Sequence, residues 1–383
     1  MIIFRAIKKL IKIAIYLVVI ILIVAFIPIV TGVTKCAMGT LPVTSAAPVN
    51  KAIPANIKST EASLQDYQRP ESHTFLTFPA WYIVFSSQEY AQYIKDHAPS
   101  GFPFFSSIQQ YWFGYCTAYR VTRNQYQVNW GDHLKLIARG SSMSAGYAIK
   151  GAYENTLGWL SEWSSSNELV EEDHYAAKVA QEYADFIPYH PWYEFSYMHS
   201  LYGLWTETSF NGPHVFRKWE RKIILSIEYS IKAADASLVE MAASSAYGAV
   251  HPGTYVLIKN VPDSVFTTTY KNNAKVKMVK KINAQEYIAM IPHGQEFTDI
   301  VPELAKSGVQ FEDAAGNSMI LVTAVTPPGW SATLNEGTIL FTMDILTQPD
   351  SERIAIQVPV DQLSALLQQL TNSGAEIEHV YDY

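Results

Sequence analysis

The chain has 383 residues, a formal charge of −7, 49 % hydrophobic residues and two cysteines. The negative balance argues against nucleic acid as a partner, two cysteines are too few for a disulfide framework, and the length exceeds one average domain. Aromatic residues reach 13 %, with 24 Tyr and 9 Trp, an excess that needs placing.

The N-terminal segment, residues 1–12, is basic. From Ile13 to Thr34 only Tyr16 is ionisable. A bilayer core of roughly 30 Å needs about 20 apolar residues, which this run supplies. A cleaved signal peptide would carry a shorter apolar region. Arg5, Lys8, Lys9 and Lys12 precede the run and Lys35 alone follows it, so the N-terminus is expected to stay cytoplasmic. The expectation is therefore a single-pass signal anchor over 13–34, with the bulk of the chain translocated across that membrane. Cys36 falls beside that anchor and Cys116 inside an expected helix. A bridge between them is open, but a buried, unpaired Cys116 is the expected state.

Residues 35–72 are small and Pro-rich, as in Leu41-Pro42-Val43-Thr44-Ser45-Ala46-Ala47-Pro48, and read as a flexible spacer. From 73 to 250 the texture is that of an all-α domain. Helices are expected from Ser87 to about Ala98, from Pro103 to Thr122, from His133 to Trp163, from Glu168 to Ile187 and from Arg217 to Tyr247. Glu171, Glu172 and Asp173 fall in a first turn, where acidic groups suit the helix dipole. Lys150/Glu154 and Glu228/Lys232 read as i,i+4 pairs on wet faces, and the charges in these helices make insertion into a bilayer costly.

After Pro252 the pattern changes to strands, with 254–383 read as an α+β domain. The strand Glu286–Ile291, the helix Gln295–Lys306, Ser307-Gly308 and a strand to Asp313 form one unit. The strand Arg353–Val358, a helix to Asn372, Ser373-Gly374 and a strand to Tyr381 form a second. With Met319–Val325 and Ile339–Leu346 between them, they imply one ferredoxin-like sandwich.

Phosphate-cradling glycine loops, a nucleophile elbow, Cys-x-x-Cys and His-Glu-x-x-His are all absent, which argues against a nucleotide enzyme or a common serine hydrolase. Glu171-x-x-His174 has di-metal spacing, but such a centre needs the motif on two helices, so a solvated acidic first turn is the better reading. The stretch 188–221 holds the candidates for function. Trp192, Trp205 and Trp219 recur there with Glu194, Glu207 and Glu220 nearby, and His214 and Arg217 open the last helix. Trp192, Glu194, Trp205, Arg217 and Trp219 suit ligand binding, while His214 with Glu207 or Glu220 suits acid–base chemistry. Aromatic packing over a bundle accounts for the same residues.

Thr77-Phe78-Pro79-Ala80-Trp81-Tyr82, the run Glu172-Asp173-His174-Tyr175-Ala176-Ala177-Lys178-Val179-Ala180, Lys218-Trp219-Glu220-Arg221-Lys222 and the ending Glu376-Ile377-Glu378-His379-Val380-Tyr381-Asp382-Tyr383 resemble a group of proteobacterial inner-membrane proteins of unassigned activity. The resemblance implies a Gram-negative source and a periplasmic place, and carries no catalytic residue. The functional expectation is a tethered, non-enzymatic protein that binds an envelope protein, lipid or glycan and needs no cofactor. The alternative is an envelope enzyme acting on a lipid or glycan through 188–221; a haem- or flavin-type group held by the aromatic residues is a third reading.

Overall fold

The computed structural model describes residues 12, 16, 19, 20, 23, 26–39, 64, 67–123, 126–246, 253–262 and 276–383, without the side chains of 242–246. The chain divides into two compact units. One is helical and comprises Met1–Met38, Pro79–Thr117 and Trp130–Ala246; the other comprises Gly39–Phe78, Ala118–Asn129 and Tyr247–Tyr383.

The expected membrane anchor is overturned. No helix among the described residues is long and apolar enough to cross a membrane, and much of 13–34 lies outside them. The continuous helical run described there, α1, is 26–38. It is instead committed to protein: a Cβ on Gly32 would meet the Gln109 carbonyl oxygen at 2.3 Å, so only a glycine permits this approach. Four residues on, Cys36 is bonded to Cys116 with Cα atoms 6.1 Å apart, which corrects the expectation of an unpaired Cys116. The expected single-pass, inner-membrane and periplasmic placement loses its support with the anchor. Much of the expected spacer over 35–72 also lies outside the described residues, but its end is structured, with Tyr67 buried and donating from its hydroxyl to Asp313 Oδ1 at 3.0 Å.

After the short helix α2 (His73–Leu76), the helical unit continues with α3 (Phe78–Tyr93). It begins nine residues before the expected Ser87 start, because the Ser87 hydroxyl donates within the helix to Ile83 O and does not cap it. Next come α4 (Phe104–Thr122) and α5 (Trp130–Tyr153). Tyr111 Oη donates to Leu136 O at 2.6 Å, and Trp112 Nε1 to Ser144 Oγ at 3.0 Å, across α4 and α5. A π turn at Glu154–Gly158 leads straight into α6 (Trp159–Ser164). Then follow α7 (Glu171–Phe186), α8 (Tyr197–Glu207) and the long α9 (Val215–Ala246).

The second unit is not one ferredoxin-like sandwich. Its strands are β1 (Thr254–Lys259), β2 (Lys277–Lys281), β3 (Glu286–Ile291), β4 (Gln310–Ala314), β5 (Met319–Thr326), β6 (Thr338–Ile345), β7 (Gln348–Pro359) and β8 (Glu376–Tyr381). Helices α10 (Gln295–Lys306) and α11 (Leu363–Asn372) precede β4 and β8. They form two antiparallel four-stranded sheets, ordered β2-β3-β1-β4 and β6-β7-β5-β8. Each is three strands, a helix and a fourth strand in the same order, so the unit is a structural repeat.

The registers repeat as well. Val256 pairs with Ala314 and Leu257 with Asp313 before a shift; Val322 pairs with Val380 and Thr323 with His379 before the same shift. The β2–β3 ladder breaks between Met278 and Lys280, the β6–β7 ladder between Ile339 and Phe341. Both helices end at Ser-Gly, with Gly308 and Gly374 at positive φ. A bulge is a specific backbone feature, and its recurrence at equivalent places ties the halves together more firmly than strand count does.

The halves share one apolar core, with Val256, Phe297 and Leu304 from the first and Val322, Leu363 and Leu370 from the second. Each helix also bonds across to the other half. Thr298 Oγ1 on α10 accepts from Val380 N of β8 at 3.0 Å, and the equivalent Ser364 Oγ on α11 donates to Val309 O, beside β4, at 2.9 Å.

Candidate functional site

Helix α9 carries four basic residues, Arg217, Lys218, Arg221 and Lys222, and all four are buried. Spaced i,i+4 in two rows, they repel one another along the helix and need carboxylates from elsewhere. Three segments supply them. The π turn presents Glu154, α6 presents Glu162, and the first turn of α7 presents Glu172 and Asp173; all are buried too. Asp173 is fixed by accepting the Val170 N–H at 3.2 Å, as an N-terminal carboxylate does.

Arg217 donates from Nε and Nη2 to the two oxygens of Asp173 at 3.2 and 2.8 Å, and from Nη1 to Ser161 Oγ at 2.7 Å and Glu220 Oε2 at 3.1 Å. Arg221 reaches Glu154 Oε1 and Asp173 Oδ1, each at 2.9 Å. Lys218 lies between Glu171 and Glu172 at 2.9 and 3.1 Å. Lys222 meets Glu172 at 3.3 Å and donates to Thr208 O at 3.1 Å. Buried pairs of this kind are weak sources of net stability, but removing one partner strands the other and costs several kcal/mol.

Four buried cations therefore meet four buried carboxylates, and Glu220 is an additional acid. Its side chain is 13 % exposed. Burial pushes its carboxyl up to about 7, although Arg221 pulls the other way. One of its oxygens lies 2.7 Å from Ser161 Oγ; among the described residues the other has no hydrogen-bond partner, and neither do Glu154 Oε2 and Arg221 Nη2. Glu220 is thus the carboxyl of this set that burial brings closest to neutrality, while its Oε2 accepts from Arg217 Nη1. Glu171, at the open edge, is held down to about 2 by hydrogen bonds from the Ser209 side chain and backbone and by Lys218.

The aromatic candidates divide. Trp205, Phe210 and Trp219 form a triangle with ring centroids 6.1 to 6.2 Å apart. The Lys222 ammonium lies 5.4 Å from the Trp205 ring centre and 5.3 Å from that of Phe210, within cation–π range. Trp205 Nε1 donates to Ser226 Oγ at 2.9 Å. Trp192 and Glu194 lie instead on a separate 3₁₀ turn, with Trp192 against Tyr193. Of the acid–base candidates, Arg217 and Glu220 come together. His214, at φ 58°, lies with Nε2 3.0 Å from Glu168 Oε2, and Glu207 pairs with Lys178 at 2.8 Å on the surface.

The helical unit also exposes a series of apolar side chains. Phe216, Trp219, Ile223, Ile227 and Ile231 follow one another along α9 at three- and four-residue steps, and each is exposed. Leu157, Trp159, Leu160 and Trp163, around the π turn and α6, are exposed as well. Apolar side chains in such numbers on a surface mark an interaction face.

Several of these residues were missed by sequence reasoning. Lys150 and Glu154 are not the expected pair: Lys150 reaches Glu228 at 3.0 Å, Glu228 also holds Lys232 at 2.7 Å, and Glu154 belongs to Arg221. The available signal was the double i,i+4 row of basic residues in a helix whose remaining face is apolar. Among the described residues no cluster of three or more His, Cys, Asp or Glu side chains could hold a metal ion. No family model, curated protein or solved structure matches the chain.

Proposed function

We propose that this is a binding protein that engages a partner protein through the exposed apolar and aromatic face of its helical unit, centred on Trp219. One observation carries the reading. On α9 the cations point inward to buried carboxylates, while Phe216, Trp219, Ile223 and Ile227 are left exposed in series. Bound charge networks hold a helix in one register, and a rigid helix presenting apolar anchors at i, i+3 and i+4 steps is a recurring mode of protein recognition. The Trp205–Phe210–Trp219 triangle, backed by Lys222, supplies a flat aromatic centre to that face.

Photo-cross-linking in cells tests the proposal. A photoreactive residue placed at Phe216, Trp219 or Ile223 should capture the same protein species, and one at Lys306 in the other unit should not. Capture of lipid or glycan alone, or of no recurrent species, contradicts it.

A further inference from the structure

A second polar cluster lies at one end of the first half of the repeat. His293 follows β3, Thr254 opens β1 and Asp382 follows β8. Asp382 Oδ2 lies 2.7 Å from His293 Nδ1 and 3.0 Å from Thr254 Oγ1, and accepts from Gly294 N at 3.4 Å. Thr254 Oγ1 is also 3.1 Å from His293 Nδ1. A carboxylate only accepts, so the ring hydrogen belongs on Nδ1 and the Nε2 lone pair is left free. Asp382 keeps 10 % of its side chain exposed and His293 keeps 29 %. No partner for Nε2 is found among the described residues.

The second half shows that the fold does not need this cluster. Thr254 pairs with Ile291 just as Ile320 pairs with Val358, and Pro292 and Pro359 follow in turn, so His293 corresponds to Val360. The matched β4 and β8 registers make Gly316 the counterpart of Asp382. Where one half has Thr, His and Asp, the other has Ile320, Val360 and Gly316, with Ile320 and Val360 fully buried. The same backbone is thus built once with apolar groups and once with an oriented imidazole.

We propose that His293, positioned by Asp382 and Thr254, is a general base that activates water against an acyl ester. Its Nε2 takes a proton from water as the water oxygen bonds to the acyl carbon. The tetrahedral intermediate then expels the alcohol oxygen, which recovers that proton from Nε2, giving acid and alcohol. Asp382 holds the ring tautomer throughout, as the carboxylate of a catalytic triad does. An imidazole that takes a proton from water and returns it to a leaving oxygen serves both steps of ester hydrolysis.

The test uses the full chain and p-nitrophenyl acetate. Both His293→Ala and the near-isosteric His293→Gln should lower the hydrolysis rate about 10²-fold. Nitrogen NMR of the wild-type ring should show the hydrogen on Nδ1, and Asp382→Asn should move it to Nε2 and lower the rate with the fold intact. An unchanged rate in both His293 variants, or a wild-type ring protonated on Nε2, overturns the proposal. Because the cluster lies in the other unit, neither result bears on the Trp219 face.

Discussion

Both units of this protein bury apolar side chains, but the helical one also buries a row of cations from a single helix. In the repeated β unit the interior is Val, Ile, Leu and Phe, as a sheet covered by helices with one apolar face requires. In the helical unit the interior around α9 holds Leu225 and Tyr229 and also Arg217, Lys218, Arg221 and Lys222 against Glu154, Glu162, Glu172 and Asp173, while Phe216, Trp219 and Ile223 lie outside. An apolar core tolerates imprecision, losing about 1 kcal/mol when a methylene is lost. A buried ion network does not, because each member neutralises a specific neighbour. The helical unit is therefore expected to be the more exact of the two structures, and the one whose outer face is available for recognition.

Substitutions can break that contrast, and the largest effect is expected inside the network. Arg221→Ala leaves Glu154 and Asp173 short of a buried counter-charge and should cost about 3–5 kcal/mol in denaturant unfolding; a loss below 1 kcal/mol would mean that the network is hydrated. Removing the Cys36–Cys116 bond in a double serine variant opens a loop whose ends are 80 residues apart. Chain entropy then predicts a loss of about 4 kcal/mol, measurable as an equal shift with reductant in the wild type. In the β unit, Leu366→Ala should cost about 2–5 kcal/mol as a cavity. The same truncation outside the helical unit, Ile223→Ala, should stay within about 0.5 kcal/mol.

Glu220 sharpens the contrast through pH. Its carboxyl is raised from 4.5 to about 7 in the folded chain, so the native state holds the proton more tightly than the unfolded one. Its contribution is complete below pH 4.5 and is lost as pH rises towards about 7. Relative to wild type, Glu220→Gln should remove that decline across pH 4.5 to 7; parallel stability curves would show that Glu220 is not the titrating group.

The β unit was largely legible in the sequence. Gln295–Lys306 and Glu286–Ile291 occur where period and Ser-Gly stops place them, because local rules govern a short amphipathic helix and an alternating strand. Strand order was not legible: the strands Met319–Val325 and Ile339–Leu346 read as separating two units, whereas they fall in the first two strands of the second repeat, and pairing depends on partners far along the chain. In the helical unit Tyr197–Glu207 was missed, since Pro188, Pro191 and dense aromatics read as an irregular linker. Trp205 and Trp219 were found by composition and do come together. The carboxylates that face α9 were not found, because a charge on a helix looks the same in sequence whether it meets water or an arginine. The apolar run at 13–34 misled in the other direction: its length suggested lipid, while Gly32 in it and Cys36 just after it are contact points for α4.

The most direct measurement is the affinity of the species cross-linked at Trp219 for purified wild-type and Trp219→Ala protein, with unfolding recorded on the same samples. The account predicts at least tenfold weaker binding, about 1.4 kcal/mol or more, with stability changed by no more than about 0.5 kcal/mol. Equal affinity for the two proteins would contradict it.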